Sequence, residues 1–350
     1  MQYSRLSPVF VLLLMLSIAL YYNVQVNATT DAQQKLPKTG NLVSNFKVPK
    51  ASDSKKAPKS TKGGCQPHLN VAFLKVHKCA STTVSHVIFR FGHEHDLLVA
   101  LPAKTDCDII GHFGVIRDED YEPPPGGRRW NLFTHHAMYN RSRFRQLMDP
   151  DTRYITILRD PLQRLQSAFQ YHKFETRFPG MKKETANGTA YITTYLKKPS
   201  FWDLQFIPHE NIIDRENFCF RNCMSRDLGL QKKDYDNHTA VQAFVQGIEN
   251  DFTTVMIMEY LPESLVLLKR RMCWTLRDIL YDSSSWVKKS TYSLQSVFTR
   301  EMVENFERHN HADVVLYARF KELFLKQIKE EGVGFKEEVK HFKRVNDKEK

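Results

Sequence analysis

The chain lacks the glycine-rich phosphate loop that is typical of ATPases. The pattern GxxxxGK(S/T) is absent, and no glycine lies between Phe73 and Phe91, where the order of elements otherwise suits a phosphate site. The chain also lacks internal repeats. It has no CxxC or HxxxH pair to complete a zinc site with Cys219 and Cys223. These absences exclude a phosphate-loop ATPase and a repeat protein, and we expect no bound metal.

Residues 71–92 nevertheless predict an anion-binding turn between a strand and a helix. The apolar run Val71–Leu74 is typical of a buried strand. From Thr82 onward, apolar residues recur with the period of an amphipathic helix. We expect Ser81, Thr82 or Thr83 to cap this helix.

Three basic side chains lie in the turn itself: Lys75, His77 and Lys78. Unpaired N–H groups and the positive dipole end of a helix terminus attract anions, and these side chains add donors at the same place. A phosphate or sulfate group is therefore the expected ligand. The alternative is an ordinary strand and helix joined by a solvated basic turn.

A second strand, turn and helix follow downstream. The β-branched run 154–158 ends at Arg159, and Asp160 and Pro161 suit the cap and first position of a helix. Arg159 is placed at the carboxyl end of its strand, the edge at which open α/β sheets bind ligands. Ser167 lies off the apolar face of the helix and offers a hydroxyl to the same ligand. The alternative is a capped helix start with a solvated arginine.

Further apolar strands alternate with helical stretches along the chain. A strand is predicted at 254–258, a helix at 263–281 and a last long helix at 312–329. Alternation of this kind predicts an α/β protein with a central parallel sheet flanked by helices.

The charge of the chain is strongly positive but unevenly distributed. Of the 350 residues, 51 are Lys or Arg and 39 are Asp or Glu, a net charge of +12 that favours anionic partners. Residues 31–64 hold eight Lys against two Asp, which is half of that excess. This Lys-, Ser-, Thr- and Pro-rich segment is predicted to be a disordered stem.

An apolar segment near the amino terminus predicts targeting to a membrane system. The run 9–22 is shorter than the about 20 residues of a spanning helix, but 6–26 reaches that length if its polar residues are tolerated. A cleaved signal peptide with its cleavage site near 26–28 is the alternative. We favour a retained anchor with Arg5 on the cytoplasmic side.

Cysteines and glycosylation sequons agree with a secretory compartment. Three sequons occur in the body of the chain, at Asn140, Asn187 and Asn237. Six cysteines are present: Cys65, Cys79, Cys107, Cys219, Cys223 and Cys273. Disulfides are expected, but Cys79 lies in the anion-binding turn and is predicted to be unpaired, which leaves at least one other cysteine free.

Three blocks of sequence together resemble the galactose-3-O-sulfotransferase family. They are FLKVHKCASTT followed by FRFG, then ILRDPLQRLQSAFQY, then EYLPESLVLLKRRMCW followed by DILY. The resemblance extends over about 270 residues from Cys65, and it is weaker at 102–129 and 176–235.

The resemblance implies a P-loop NTPase-like sulfotransferase fold in a single-pass type II protein of the Golgi membrane. The expected order is a cytoplasmic tail (1–8), a signal-anchor helix (9–26), a lumenal stem (27–64), a lumenal catalytic domain (65–332) and a charged C-terminal tail (333–350).

The implied activity is sulfation of the 3-hydroxyl of a terminal galactose. The implied donor is 3'-phosphoadenylyl sulfate (PAPS), and the acceptor is a glycolipid such as galactosylceramide, or a glycan. Arg159 and Ser167 are implied to hold the 3'-phosphate. The 5'-phosphosulfate is assigned to the loop residues Lys75, His77, Lys78, Cys79, Ala80, Ser81, Thr82 and Thr83.

Lys78 is the expected stabiliser of charge on the leaving group. A histidine suits the role of general base near neutral pH, and His136 ranks slightly above His77. His135 is the weaker neighbour, because adjacent residues on a strand face opposite ways. Cys79 stands where the family usually has Thr, which removes a hydroxyl from the loop.

Other functions stay open at this stage. The basic charge favours a proteoglycan or other glycan O-sulfotransferase, and a catalytically inactive PAPS- or glycan-binding protein is a further alternative. Nucleic acid is not expected as a partner, because much of the positive charge lies in the stem. A homodimer is compatible with the sequence.

Overall fold

The computed structural model describes residues 65–103, 109–111, 114–186, 189–207, 219–282 and 298–347. The predicted cytoplasmic tail, signal anchor and stem lie outside these residues, as do Cys107 and Asn187. Within the described ranges, no helix has the length and apolar character needed to cross a bilayer.

The described chain contains a four-stranded parallel sheet with the strand order β2-β1-β3-β4. The strands are β1 (Val71–Leu74), β2 (Leu132–Phe133), β3 (Arg153–Leu158) and β4 (Phe252–Ile257). All four residues of β1 are buried, as expected for a central strand of a parallel sheet covered on both faces. The predicted parallel α/β sheet is thereby confirmed.

Helices connect and flank the strands. In chain order they are α1 (Ser81–Glu94), α2 (Arg141–Leu147), α3 (Pro161–His172), α4 (Met181–Glu184), α5 (Tyr191–Lys197), α6 (Pro199–Gln205), α7 (Cys223–Asp227), α8 (His238–Asp251), α9 (Leu261–Met272), α10 (Arg300–His309), α11 (His311–Glu330) and α12 (Val333–Asn346). Helices α9 and α11 pack against β4, and α7 packs against α11. The predicted long helix at 312–329 corresponds to α11.

Helix α1 lies close to β2 because of one glycine. A Cβ atom at Gly92 would fall 2.4 Å from Cδ1 of Leu132 in β2. Ser85 of the same helix donates a hydrogen bond to the carbonyl oxygen of Thr134, just after β2 (3.3 Å). These contacts hold α1 over the strand that leads to His135 and His136.

A second layer of the core supports helix α3. It is rich in aromatic side chains that come from α3, α5, α6, α10 and the segments between them. Its large buried members include Phe169, Phe174, Phe178, Tyr195, Trp202, Phe220 and Phe306. This packing holds the helix that follows Arg159 against the rest of the domain.

The structure corrects two sequence predictions near the carboxyl terminus. The helix predicted at 263–281 ends at Met272, because Cys273 adopts a left-handed conformation (φ 56°) and forms a disulfide with Cys65. The segment 333–350, predicted as a charged tail, contains helix α12, which packs against α9. Its Phe335, Val339 and Phe342 are buried, at the i, i+4, i+7 spacing of a helix face.

The cysteines that the structure describes divide into two pairs and one free thiol. Cys65 pairs with Cys273, and Cys219 pairs with Cys223. Cys79 is free and buried, as predicted from its position in the loop.

Candidate active site

The loop between β1 and α1 has an unusual backbone. Lys78 and Ala80 have positive φ angles of 64° and 63°, although neither is glycine, whereas Cys79 between them does not. Alternation of this kind turns successive N–H groups toward one side and forms an anion-binding nest. The left-handed conformation costs roughly 1–2 kcal/mol per non-glycine residue, and such strain is concentrated at functional sites.

The amino terminus of α1 carries no side-chain cap. The capping position is occupied by Ala80, and no side chain from the described residues accepts a hydrogen bond there. The prediction that Ser81, Thr82 or Thr83 caps this helix is therefore wrong, because these residues already lie in its first turn. The N–H of Thr83 donates to the carbonyl oxygen of Ala80 (3.2 Å), so the N–H groups of Ser81 and Thr82 are the first-turn donors that can bind an anion.

Lys78 is held by an aromatic ring from α3. Its Nζ lies 3.5 Å from the centroid of the Tyr171 ring, within the range of a cation–π contact. Burial and the positive charges of Arg159 and Arg164 lower the pKa of Lys78 to about 8. A partly buried cation beside other positive charges is suited to bind a negatively charged ligand.

The second predicted half-site lies directly beside this loop. Nη1 of Arg159, just after β3, donates a hydrogen bond to the carbonyl oxygen of Lys78 (3.3 Å). The Nε atom of Arg159 is buried and has no hydrogen-bond partner within the described ranges. The two half-sites therefore form one site at the carboxyl edge of the sheet, as open α/β folds require.

Helix α3 begins as the sequence predicts. Asp160 accepts a hydrogen bond from the backbone N–H of Gln163 (2.9 Å), and Pro161 is the first helical residue. Ser167 is half-buried in the second turn of α3. No hydrogen bond joins Ser167 to Arg159 in the part of the chain that the structure describes.

Both candidate general bases lie at the loop, in contact with each other. The rings of His77 and His136 stack with their centroids 3.8 Å apart and an interplanar angle of 19°. Nδ1 of His136 lies 2.8 Å from the carbonyl oxygen of Lys75. A carbonyl oxygen can only accept, so Nδ1 of His136 carries the proton and Nε2 is the basic nitrogen of the neutral ring.

Burial determines the protonation state of His136. Burial and the nearby charges of His77 and Lys75 place the pKa of His136 well below its ordinary value, so this ring is neutral at physiological pH. His135 lies against Phe89 and Phe133, with centroid distances of 5.7 and 6.4 Å. The prediction that His135 and His136 face opposite ways is consistent with these contacts.

Sequence reasoning missed Asp227, which contacts His77 directly. Its Oδ2 accepts from the backbone N–H of His77 at 3.0 Å and lies 2.8 Å from Nδ1 of the ring. The two residues are 150 positions apart, and Asp227 lies in the stretch where the family resemblance is weak. The sequence holds no local signal for this contact.

Two more residues at the loop were missed: Tyr171, described above, and Arg164. The side chain of Arg164 is almost fully buried, and both Nη atoms donate to the carbonyl oxygen of Cys219 (3.4 Å). Cys79 faces inward, with Sγ 3.5 Å from the carbonyl oxygen of His77, and burial raises the pKa of its thiol. Cys79 can therefore reach a ligand only through its backbone N–H group.

Two of the three predicted glycosylation sites lie in the described chain. Asn140 and Asn237 each precede a helix, α2 and α8, and cap it through the side-chain oxygen. Asn237 is exposed, whereas Asn140 is half-buried.

A parallel sheet flanked by helices, with an anion-binding loop and an arginine at its carboxyl edge, defines an α/β protein that is built to bind an anionic ligand. The comparison with protein families agrees with this class. The chain belongs to the galactose-3-O-sulfotransferase family, whose model matches residues 2–349.

Individual relatives carry names from the same family. Galactosylceramide sulfotransferase of Bos taurus is 29% identical over 304 residues, which cover 86% of this chain and 68% of that protein. The Homo sapiens protein of that name is 34% identical over 223 residues, 63% of this chain and 49% of that protein. Galactose-3-O-sulfotransferase 3 of Mus musculus is 30% identical over 268 residues, 76% of this chain and 58% of that protein.

The chain thus spans about half to two thirds of the length of these relatives. A solved sulfotransferase from Alicyclobacillus acidocaldarius is 15% identical and covers 73% of this chain and 96% of its own, with a TM-score of 0.34. That likeness is too low to support the assignment.

Proposed function

We propose that this protein is a PAPS-dependent sulfotransferase that acts on the 3-hydroxyl of terminal galactose. The observation that carries the proposal is the hydrogen bond from Arg159 to the carbonyl oxygen of Lys78. It brings two sets of anion-binding groups together at one sheet edge. PAPS needs two such sets, because its 5'-phosphosulfate and its 3'-phosphate lie at opposite edges of one ribose.

The donor is assigned to groups that are suited to bind anions. The 5'-phosphosulfate is held by the loop 75–83, through the nest at Lys78 and Ala80, the uncapped terminus of α1 and the Lys78 ammonium. The 3'-phosphate is held by Arg159, whose buried Nε is left for a ligand, with Ser167 as a further donor. No metal takes part in this scheme.

The reaction is an in-line displacement at sulfur. The acceptor hydroxyl oxygen forms a bond to sulfur while the bond from sulfur to the 5'-phosphate oxygen breaks, and 3',5'-adenosine diphosphate leaves. Lys78 stabilises the charge that develops on the leaving oxygen, an effect that is commonly worth several kcal/mol. The hydroxyl proton passes to a histidine of the loop.

The contacts favour His77 over His136 as that histidine, which reverses the ranking from sequence. His77 has a carboxylate beside Nδ1, and a carboxylate stabilises the protonated ring. His136 has a carbonyl oxygen there, and burial disfavours its charged form. We assign proton transfer to His77 and support of the His77 ring to the stacked His136.

The inactive-protein alternative loses its main support. Cys79 replaces a Thr, but its side chain is fully buried, with Sγ 3.5 Å from the carbonyl oxygen of His77. Loss of the Thr hydroxyl at this position therefore does not remove a hydrogen-bond donor from the site. A proteoglycan acceptor remains the second candidate, because the chain is strongly basic.

The proposal includes an acceptor and a location. Relatives named for galactosylceramide and for galactose support a galactose-terminated glycolipid or glycan as acceptor. Two disulfides are compatible with an oxidising compartment and support a lumenal catalytic domain at the Golgi membrane. The segment 9–26 is proposed as the anchor.

Sulfate transfer from labelled PAPS tests the proposal. We expect the full chain to sulfate galactosylceramide or a lactose-type glycan and to leave heparan unlabelled. If heparan alone is labelled, the protein is a proteoglycan sulfotransferase instead. Binding of 3',5'-adenosine diphosphate without transfer to any acceptor would favour a binding protein.

A further inference from the structure

We propose that Asp227 is a positioning residue that fixes the orientation and tautomer of His77, so that Nε2 is the ring nitrogen that takes the acceptor proton. This inference rests on the proposed function, because it concerns the proton transfer of that reaction. It adds a residue that lies outside the loop and 150 positions along the chain.

The contact between the two residues is doubly anchored. Oδ2 of Asp227 accepts from the backbone N–H of His77 (3.0 Å) and lies 2.8 Å from its ring Nδ1. One carboxylate oxygen thus binds both the main chain and the side chain of a single residue. Rotation of the His77 ring would break the second contact, so the carboxylate fixes the direction of the ring.

The carboxylate is buried but charged. Its side chain is only 1% exposed. Burial opposes ionisation, but the charges of His77 and Arg226 and the hydrogen bonds from His77 hold the pKa of Asp227 well below its usual range. Arg226 binds the other oxygen, Oδ1, through Nε (3.1 Å) and Nη2 (2.8 Å). An ionised carboxylate only accepts, so Nδ1 of His77 must donate, and Nε2 is then the basic nitrogen of the neutral ring.

The element that carries Asp227 is itself firmly held. Asp227 ends the short helix α7, whose first N–H groups, at Met224 and Ser225, donate to the buried carboxylate of Asp313 (3.1 and 2.7 Å). The disulfide between Cys219 and Cys223 ties the start of α7 to the preceding segment. A positioning residue needs such support, because an imprecise carboxylate would not orient a ring.

Because the two rings are stacked, only one of them can be positively charged at a time. With centroids 3.8 Å apart, a charge on both His77 and His136 is strongly unfavourable. Burial and the positive charges of Lys78 and His77 lower the pKa of the nearby His172 to about 4, so His172 is neutral and does not compete for the proton. Because the Asp227 carboxylate contacts the His77 ring directly, it selects His77 as the ring that holds the proton during transfer.

The matched test uses Asp227→Asn, which keeps the shape and removes the charge. The control is Asp203→Asn, because Asp203 forms a second aspartate–histidine pair, with its Oδ2 2.6 Å from Nε2 of His309, away from the loop. For each variant, kcat for sulfate transfer is measured from about pH 5 to 9, together with the dissociation constant of 3',5'-adenosine diphosphate.

We expect Asp227→Asn to lower kcat by about 10²–10⁴-fold and to change nucleotide binding by less than about threefold. The shape of its pH–rate profile should differ from that of the wild type, because the carboxylate charge beside the ring is gone. Asp227→Glu should restore part of the rate, and Asp203→Asn should match the wild type. An unchanged kcat and pH profile for Asp227→Asn, in a wild type that transfers sulfate, would overturn the inference.

A second readout separates this inference from the proposed function. Nitrogen-15 NMR of labelled histidine reports which ring nitrogen carries the proton, and it does not require activity. We expect His77 to be protonated on Nδ1 in the wild type and to populate both tautomers in Asp227→Asn. A wild-type His77 protonated on Nε2 alone would overturn the inference even if sulfate transfer is found. If His77 shows the expected tautomer but the protein transfers no sulfate, the proposed function is wrong, whereas the effect of Asp227 on the His77 tautomer still holds.

Discussion

The guanidinium of Arg159 donates a hydrogen bond to the carbonyl oxygen of Lys78 and so joins the ends of two adjacent parallel strands, β3 and β1. The contact has two effects. It ties the strained backbone of the loop to the end of β3. It also places beside that loop a buried Nε atom for which the described residues provide no hydrogen-bond partner. The proposed site for a donor with two separated anionic groups depends on this contact.

Arg159→Ala should weaken nucleotide binding. A hydrogen bond to a charged group is worth about 1.5–3 kcal/mol, so the dissociation constant of 3',5'-adenosine diphosphate should rise by about 10–100-fold. Isothermal titration calorimetry measures it. Arg153→Ala is the control, because Arg153 is exposed at the opposite end of the same strand. Equal affinities for Arg159→Ala and the wild type would remove Arg159 from the donor site.

Lys78 should produce a basic limb in the pH dependence. The pKa of Lys78 is lowered to about 8, first by burial and then by Arg159 and Arg164. Only the protonated amine stabilises the leaving group, so kcat/KM for PAPS should fall as pH rises through about 8. Lys78→Arg keeps its charge and should flatten this limb. A basic limb that is identical in both proteins would mean that another group titrates.

Lys78→Ala separates chemistry from acceptor binding. Loss of a preorganised cation at the developing charge should lower kcat by about 10²–10³-fold. KM for the acceptor should change by less than about threefold, because Lys78 is assigned to the donor. Steady-state kinetics with a saturating galactose acceptor measures both constants. A change confined to the acceptor KM would place Lys78 in the acceptor site.

Cys79 should behave as a buried structural thiol. Burial raises its pKa and leaves it without exposed surface, so iodoacetamide at about pH 8 should not modify it in the folded protein. Mass spectrometry of the peptide that contains Cys79 measures the modification, and denatured protein is the positive control. Cys79→Ser should keep the contact to the carbonyl oxygen of His77 and transfer sulfate within about threefold of the wild type. Rapid alkylation of the native protein would contradict an inward-facing side chain.

Helix α12 should contribute to stability, although its sequence resembles a charged tail. Phe342 is 1% exposed, and truncation of a buried Phe to Ala costs about 3–5 kcal/mol. Val333→Ala is the matched control, because Val333 is 85% exposed in the same helix. Chemical unfolding of both variants measures the difference. A Phe342→Ala protein as stable as the control would show that α12 is not part of the packed domain.

The sequence predicted the elements that depend on local pattern. The predicted strands 154–158 and 254–258 match Arg153–Leu158 and Phe252–Ile257 to within two residues, because apolar periodicity reports burial directly. The Asp160 cap was also predicted correctly, since its signal lies within three residues.

Features that depend on distant contacts were not predicted. The end of α9 at Met272 coincides with a disulfide across 208 positions, and the partner of His77 comes from α7. The alanine cap of α1 also had no signal, because Ser and Thr nearby were the better candidates by local propensity. For the end of α9 and the partner of His77, contacts between distant parts of the chain decided the outcome; at the start of α1, the observed cap goes against local propensity.

The most direct test of the central claim is transfer of labelled sulfate from PAPS to galactosylceramide and to a lactose-type glycan, by the wild type and by Lys78→Ala. We predict label on the 3-hydroxyl of galactose with the wild type and at least about a hundredfold slower transfer with the variant. Galactose acceptors that stay unlabelled by a folded wild type that binds 3',5'-adenosine diphosphate would contradict the proposed function.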